Sequence, residues 1–289
     1  MKVLVTGATG NIGSQLVPRL ASRNNVDVRA YVRNAEKGAT LQEAGAELVA
    51  GTFSDSDTLR KAAEGVDTVV LITPMHQDAY DQAEAVMAAA KKAGVQKVVR
   101  ISALNADENG PTDNTRLHGR TDSMIQDSGL TYVILRPSFF MQNLFMSAPS
   151  IGGEGNMYWG MGDGKIGIID IRDIVDCAEA SVLSDAYDNQ ALTLTGPKSI
   201  SFHDMAESFS AALNQDVNYV PVPPEAAKQA IIDMGMGEWA GEVFYNYSKA
   251  YSEGWGDFVT DGVEKIANHS ARSFDDFANE VFAPALSGG

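Results

Sequence analysis

Three glycines at three-residue spacing, Gly7, Gly10 and Gly13, are the residues of this chain whose type and position point most directly to chemistry. They lie in Thr6-Gly-Ala-Thr-Gly-Asn-Ile-Gly13, after a short β-branched run from Lys2 and before a segment of helical periodicity, Ser14 to Leu20. In such a turn the first glycine permits a sharp reversal. The second lets backbone N–H groups approach a pyrophosphate, and the third lets the helix pack close to the strand. The phosphates of a dinucleotide then meet the positive end of the helix. Gly7, Thr9, Gly10, Asn11, Ile12 and Gly13 are therefore candidate cofactor residues. A glycine-rich turn without a ligand is the alternative. It is disfavoured because a second strand, Val26 to Val32, arrives where a βαβ unit requires one.

The residue that ends the second strand of such a unit meets the adenosine ribose. A carboxylate there favours a free 2′-hydroxyl, and a guanidinium favours a 2′-phosphate. The sequence Tyr31-Val32-Arg33-Asn34 offers Arg33 and no carboxylate. The expected cofactor is NADP(H), with NAD second. Lys37 either assists or faces solvent.

Positioning these residues takes a particular scaffold. Ala46–Ala50, Thr68–Thr73, Lys97–Ser102 and Thr131–Leu135 read as further strands, and Asn34–Ala44, Ser56–Ala63, Gln77–Ala93 and Thr115–Ser128 as the helices between them. This alternation implies right-handed crossovers and a Rossmann-type, doubly wound parallel α/β sheet covered on both faces. Ligands of such a sheet bind beyond the carboxyl ends of its strands. That rule adds Thr73, Pro74 and His76 after strand four, Ser102 after strand five, and Pro137, Phe139, Phe140, Met141 and Asn143 after strand six.

The regularity stops at Pro137. Ser138 to Gly164 is rich in Phe, Met and Gly and reads as a long connection holding one hairpin, with Tyr158 and Trp159 inside it. A strand at Gly167–Ile169, a helix at Arg172–Leu183 and a strand at Ala191–Thr195 return to the main sheet. Helices at Phe202–Leu213, Pro224–Met234, Trp239–Glu253 and Phe274–Phe282, with an extended piece at Val217–Val222, follow. The expected division is a dinucleotide-binding domain, 1–147 and 165–196, and a smaller, mainly helical substrate region, 148–164 and 197–289. Phe139, Phe140 and Met141, with Phe145 and Met146, make an apolar cluster at the sheet's carboxyl edge, followed by Tyr158 and Trp159. It fits a flat pocket for a planar substrate, with core packing as the alternative. Asn143 is placed to orient a ligand. Tyr245, Tyr247, Tyr251 and Trp255 serve either as a lid or as helix packing.

Composition narrows the partners. The 289 residues are 44% hydrophobic and 21% charged, ordinary globular proportions. Twenty-two basic against 38 acidic side chains give a formal charge of −16, which argues against nucleic-acid and anionic-lipid partners. The single Cys177 excludes an intramolecular disulfide and points to a reducing cytoplasm. No signal peptide is read ahead of the first strand, and no apolar run reaches membrane-spanning length. His76, His118, His203 and His269 are scattered without metal-ligand spacing, so no metal is expected. Neither a Walker loop nor a Gly-x-Ser-x-Gly elbow is present. Oligomeric state is not legible in the sequence.

Four stretches together resemble the NmrA-like group of atypical short-chain dehydrogenases, which includes NADPH-dependent quinone and triphenylmethane-dye reductases. They are Thr6–Gly13, Tyr31–Asn34, the segment from His118-Gly-Arg-Thr-Asp122 through Leu135-Arg-Pro137 to Met141-Gln-Asn143, and Ala271–Phe277. The resemblance implies an NADP-binding Rossmann domain with a small carboxyl-terminal substrate region. Typical short-chain dehydrogenases pair a tyrosine with a lysine four residues later, so that the tyrosine exchanges a proton with the substrate oxygen. Here that helix reads Leu117-His118-Gly119-Arg120-Thr121-Asp122 and has no such pair. A quinone or extended dye accepts hydride at an electron-poor centre and takes its proton from water, and the resemblance implies that stacking and proximity do the rest. His118, which titrates near neutrality in its ordinary state, is the remaining candidate proton donor and Ser102 the second catalytic candidate, with a histidine that only bonds the backbone or caps the pocket, and a serine that satisfies a turn, as the alternatives. The expected function is an NADPH-dependent reductase of a planar, electron-poor substrate. The alternative is a redox-sensing regulator of the same group that binds the dinucleotide without turnover.

Overall fold

The computed structural model describes residues 1–287. Six strands, β1 (Lys2–Val5), β2 (Asp27–Val32), β3 (Glu47–Ala50), β4 (Thr68–Leu71), β5 (Lys97–Ile101) and β6 (Thr131–Pro137), pair in parallel in the order β3-β2-β1-β4-β5-β6. Along the chain, β7 (Asn156–Trp159) and β8 (Lys165–Ile166) come next, and β9 (Gln190–Leu194) then closes the sheet beside β6. The Asn189 N–H donates to the Tyr132 carbonyl and the Ser138 N–H donates to the Leu194 carbonyl, so β9 also runs parallel to β6. Beyond it lie β10 (Ile200–Ser201), paired antiparallel with β8, and β11 (Asn218–Pro221), paired parallel with β7.

This is the expected doubly wound sheet. The chain leaves β1 toward β2 and β3, then crosses back to β4 on the other side, so the strand order reverses between β1 and β4. All four residues of β4 are buried, as a strand covered on both faces requires. Helix ends follow local chemistry. Asp55 caps Ser56–Ala63 by accepting the Thr58 N–H, and Ala79–Ala93 stops at Gly94, whose φ of +79° few other residues tolerate.

Several elements differ from expectation. Asn34–Ala44 is a 3-10 turn, Glu36–Gly38, followed by a short helix, Ala39–Glu43, with Gly38 at the junction packed closely against Leu48. The stretch 138–164 holds no hairpin. It forms a 3-10 helix, Met141–Ser147, a helix, Ala148–Glu154, and β7, whose partner β11 lies far ahead in sequence, beyond the reach of a local pattern. Gly167–Ile169 contributes one bridge, Phe140 to Ile169, and the strand falls at β8 instead. Phe274–Phe282 breaks into a capped turn, Phe274–Phe277, and a π-helical turn, Ala278–Phe282.

Contacts divide the chain into two compact units. One is Met1–Gly110, Asn114–Arg136 and Ile174–Leu192, and the other is Pro111–Asp113, Pro137–Asp173 and Thr193–Gly289. Residues 111–113, 137–147, 165–173 and 193–196, assigned above to the dinucleotide domain, pack with the second unit. Buried Asp170 explains part of this, since it receives Gln142 and Arg172 from either side. Among the described residues no helix is long and apolar enough to cross a membrane.

Candidate functional site

The turn after β1 is built from the features its sequence advertises. Gly7 takes φ +59°, and a Cβ there would stand 3.0 Å from the Ile72 side chain and carbonyl. Its own carbonyl accepts the Gly10 N–H at 3.0 Å. Gly13 opens the helix Gly13–Ala21, where a Cβ would overlap the Gly7 carbonyl oxygen and lie 2.6 Å from Ala8 Cα. Thr9, Gly10 and Asn11 are exposed and Ile12 is buried. Among the described residues the N–H groups of Asn11 and Ile12 find no acceptor, so they remain available to an anion at the helix start.

The opposite wall comes from β4. The Thr6 hydroxyl donates to the Ile72 carbonyl at 2.9 Å and accepts the Ile72 N–H at 2.9 Å, tying the two loops together where the strand order reverses. Next to it the Thr73 hydroxyl is buried and has no partner among the described residues, and Pro74 is exposed. A cradle with no room for a Cβ, free N–H groups and an orphaned hydroxyl fit a dinucleotide pyrophosphate. Arg33 follows β2 directly and is exposed, and neither it nor Lys37 has an ion-pair partner among the described residues. His76 is exposed and turns to Asp78, accepting its N–H at 3.2 Å.

Beyond β5 the structure assembles a buried polar cluster. Ser102 is buried and its hydroxyl donates to Asp122 Oδ2 at 2.9 Å, and the Arg136 Nε donates to the same oxygen at 2.9 Å. Burial raises the Asp122 pKa, against the lowering effects of Arg100 and Arg136. Arg100, 1% exposed, donates to the Leu71 carbonyl and approaches His118 Nδ1 at 3.2 Å. Burial first and the Arg100 charge second push the His118 pKa well below its ordinary value. Both effects favour the neutral ring over the imidazolium that a proton donor titrating near neutrality requires. The Ser102 proton is likewise committed to Asp122. Sequence reasoning missed Arg100, Arg136 and the role of Asp122. The available signal was Arg100 itself, a cation inside the apolar run Lys97–Ile101.

The aromatic candidates lie in the second unit. Phe139 meets Trp159 edge-on at 5.6 Å and Tyr251 at 6.1 Å, and Trp159 meets Phe202 at 5.6 Å. Trp159 is buried and donates its indole N–H to Ser147, and Met141 is wholly buried, so both are core rather than pocket lining. Tyr158 alternates to the opposite face of β7, 42% exposed, and donates to Glu154. Phe145 packs on Phe277 and Phe282, apart from the Phe139 group. Phe139, Phe140 and Asn143 keep partial exposure, and Pro137 ends β6 buried. Tyr247, Tyr251 and Trp255 pack against one another.

Comparison with known proteins agrees with this geometry. The profile of the NAD(P)H-binding family matches residues 7–155, a stretch that holds the glycine turn from Gly7 onward and the second and third motifs noted above. An NAD(P)H azoreductase from Xenophilus azovorans is 36% identical over 279 residues, covering 96% of each chain. The fold superposes on an NADPH-dependent quinone oxidoreductase from Escherichia coli complexed with NADPH, with a TM-score of 0.87 and 23% identity over 97% of this chain and 99% of that one. It also matches a Citrobacter triphenylmethane reductase complexed with NADP(H), with a TM-score of 0.83 and 24% identity over 96% and 99%. From the cradle after β1, the reversal at β4 and these matches, the chain belongs to the NAD(P)H-binding family.

Proposed function

We propose that the protein is an NADPH-dependent reductase that passes a hydride to a planar, electron-poor acceptor such as a quinone or an aromatic dye. The observation that carries this reading is the glycine cradle opposite Thr73 with an unpaired arginine, Arg33, at the end of β2. The azoreductase, quinone reductase and dye reductase activities named for its relatives support the same acceptor class.

In this reading the Asn11 and Ile12 N–H groups hold the pyrophosphate, the Thr73 hydroxyl adds a donor, and Arg33 takes the 2′-phosphate. Ser102, whose proton lies toward Asp122, offers only its lone pairs to a ligand. Phe139, Phe140 and Asn143, which keep partial exposure just after β6, are the substrate contacts, whereas exposed Tyr158 is tied to Glu154 and Asn156. Reduced nicotinamide supplies a hydride when bound. NADPH, a proton and a quinone give NADP+ and a hydroquinone, with the proton drawn from water. No tyrosine–lysine pair is needed for such an acceptor, and the helix Asp113–Gln126 carries none.

Anaerobic NADPH oxidation by the purified protein against quinones, azo dyes and cationic dyes, with NADH alongside, tests the proposal. Turnover that prefers NADPH supports it. Tight cofactor binding without turnover across the panel favours the redox-sensing regulator.

A further inference from the structure

The contact between Arg100 and His118 fixes more than a distance. A guanidinium carries only donors and stays protonated throughout the range a protein tolerates. Arg100 Nη2 lies 3.2 Å from His118 Nδ1, so Nδ1 accepts and the proton of the neutral ring sits on Nε2. An imidazolium would set an N–H against an N–H and is excluded by the same contact. Nε2 finds no acceptor among the described residues, and His118 is only partly buried, so that N–H is open to a ligand.

Arg100 is in turn held in place. Its Nη1 donates to the carbonyl of Leu71, the last residue of β4, whose following loop forms one wall of the cofactor cradle. Asp122, one turn beyond His118 on the helix Asp113–Gln126, supplies the counter-charge, and Arg136 from β6 shares it. Asp107 and Glu108 pack against Gly119 of this helix, but neither is bonded to His118. Burial brings Arg100 down to about 10, partly offset by Asp122, which leaves it cationic at neutral pH.

We propose that Arg100 is a positioning residue that locks His118 as a neutral Nε2–H hydrogen-bond donor to a carbonyl or developing oxyanion oxygen of the bound ligand. His118 then polarises that oxygen and gives up no proton, which agrees with a proton drawn from water. Its part in turnover rests on the reductase reading, whereas the lock itself does not.

Nitrogen-15 NMR of the imidazole rings in the full-length protein, with His118 assigned by loss of its signal in His118→Gln, reads the lock without turnover. The expected result is one Nε2–H form that persists from about pH 5 to pH 8. An Nδ1–H form, or an imidazolium appearing as pH falls through about 6.5, overturns the proposal. Arg100→Lys keeps a donor-only cation and retains the Nε2–H form, whereas Arg100→Gln lets the ring titrate. If Arg100→Gln does not fold, the wild-type and Arg100→Lys spectra decide. In turnover, His118→Phe lowers kcat on the order of 100-fold with KM for NADPH unchanged, and His118→Gln, which keeps an N–H, loses far less. Equal kcat for wild type and His118→Phe removes the donor role.

Discussion

Replacing Gly13 by alanine sets two effects of opposite sign against each other. In an unencumbered helix Gly→Ala adds about 1 kcal/mol of stability. At Gly13, however, the new methyl would overlap the Gly7 carbonyl oxygen and stand 2.6 Å from Ala8 Cα, about 1 Å short of the roughly 3.5 Å at which carbons pack. Both obstacles are backbone, so no side-chain rotation relieves them. Overpacking of this kind costs about 1–3 kcal/mol, which cancels or exceeds the helix gain. The relief available is to push the Gly7–Ala8 peptide away, and that peptide carries the cradle. Moving it disturbs the N–H groups that face the pyrophosphate, so NADPH affinity falls roughly 10- to 100-fold, equivalent to about 1.4–2.8 kcal/mol. Gly152→Ala, in the helix Ala148–Glu154 with nothing near its Cβ, is the control and stabilises by up to about 1 kcal/mol. Thermal unfolding and NADPH fluorescence titration of both variants measure the two effects. A Gly13→Ala protein that is more stable than wild type and binds NADPH unchanged would refute the close-packed cradle.

Arg33→Asp weakens NADPH by roughly 10- to 100-fold while NADH holds or improves, since one charge-assisted phosphate contact is worth about 1.5–3 kcal/mol. Equal affinities of variant and wild type for both cofactors remove Arg33 from the site. The second unit holds 19 acidic and 7 basic side chains, a net of −12, and the first holds 19 and 15, a net of −4. Raising salt therefore lowers kcat/KM for a cationic dye and raises it for a sulfonated azo dye, and a shared slope would contradict steering by this field. Ser201→Ala, which removes one half of the Ser201–Asp204 capping box, costs about 1 kcal/mol in denaturant unfolding. The Ser201 backbone and hydroxyl bonds lower the Asp204 pKa, so its contribution is full above the unfolded pKa and fades as pH falls through the folded one. A wild-type to Asp204→Asn stability gap that widened on acidification would be the wrong sign.

What the sequence disclosed follows from the range over which each constraint acts. Gly7, Gly10 and Gly13 are dictated by a turn of seven residues, and β4 by a continuous apolar run, so both are legible locally. The partner of β7 is β11, some sixty residues on, and no pattern within Ser138–Gly164 announces it. The same holds for side-chain burial. Met141 and Trp159 have the composition of a pocket, and only tertiary packing makes them core. His118 was identifiable as a histidine in the right helix, but its protonation is set by Arg100 from a different strand. Arg100 is a charge within an apolar run, a signal that acquires meaning only once its partners are known.

Direct hydride transfer from the cofactor to the acceptor is read by a single anaerobic turnover of NADPH deuterated at the transferred position of C4, with a cationic triphenylmethane dye as acceptor. Slower bleaching than with unlabelled NADPH is expected, with deuterium on the central carbon of the colourless product. An unreduced dye beside tightly bound NADPH, or a product whose central carbon carries hydrogen from solvent, would contradict it.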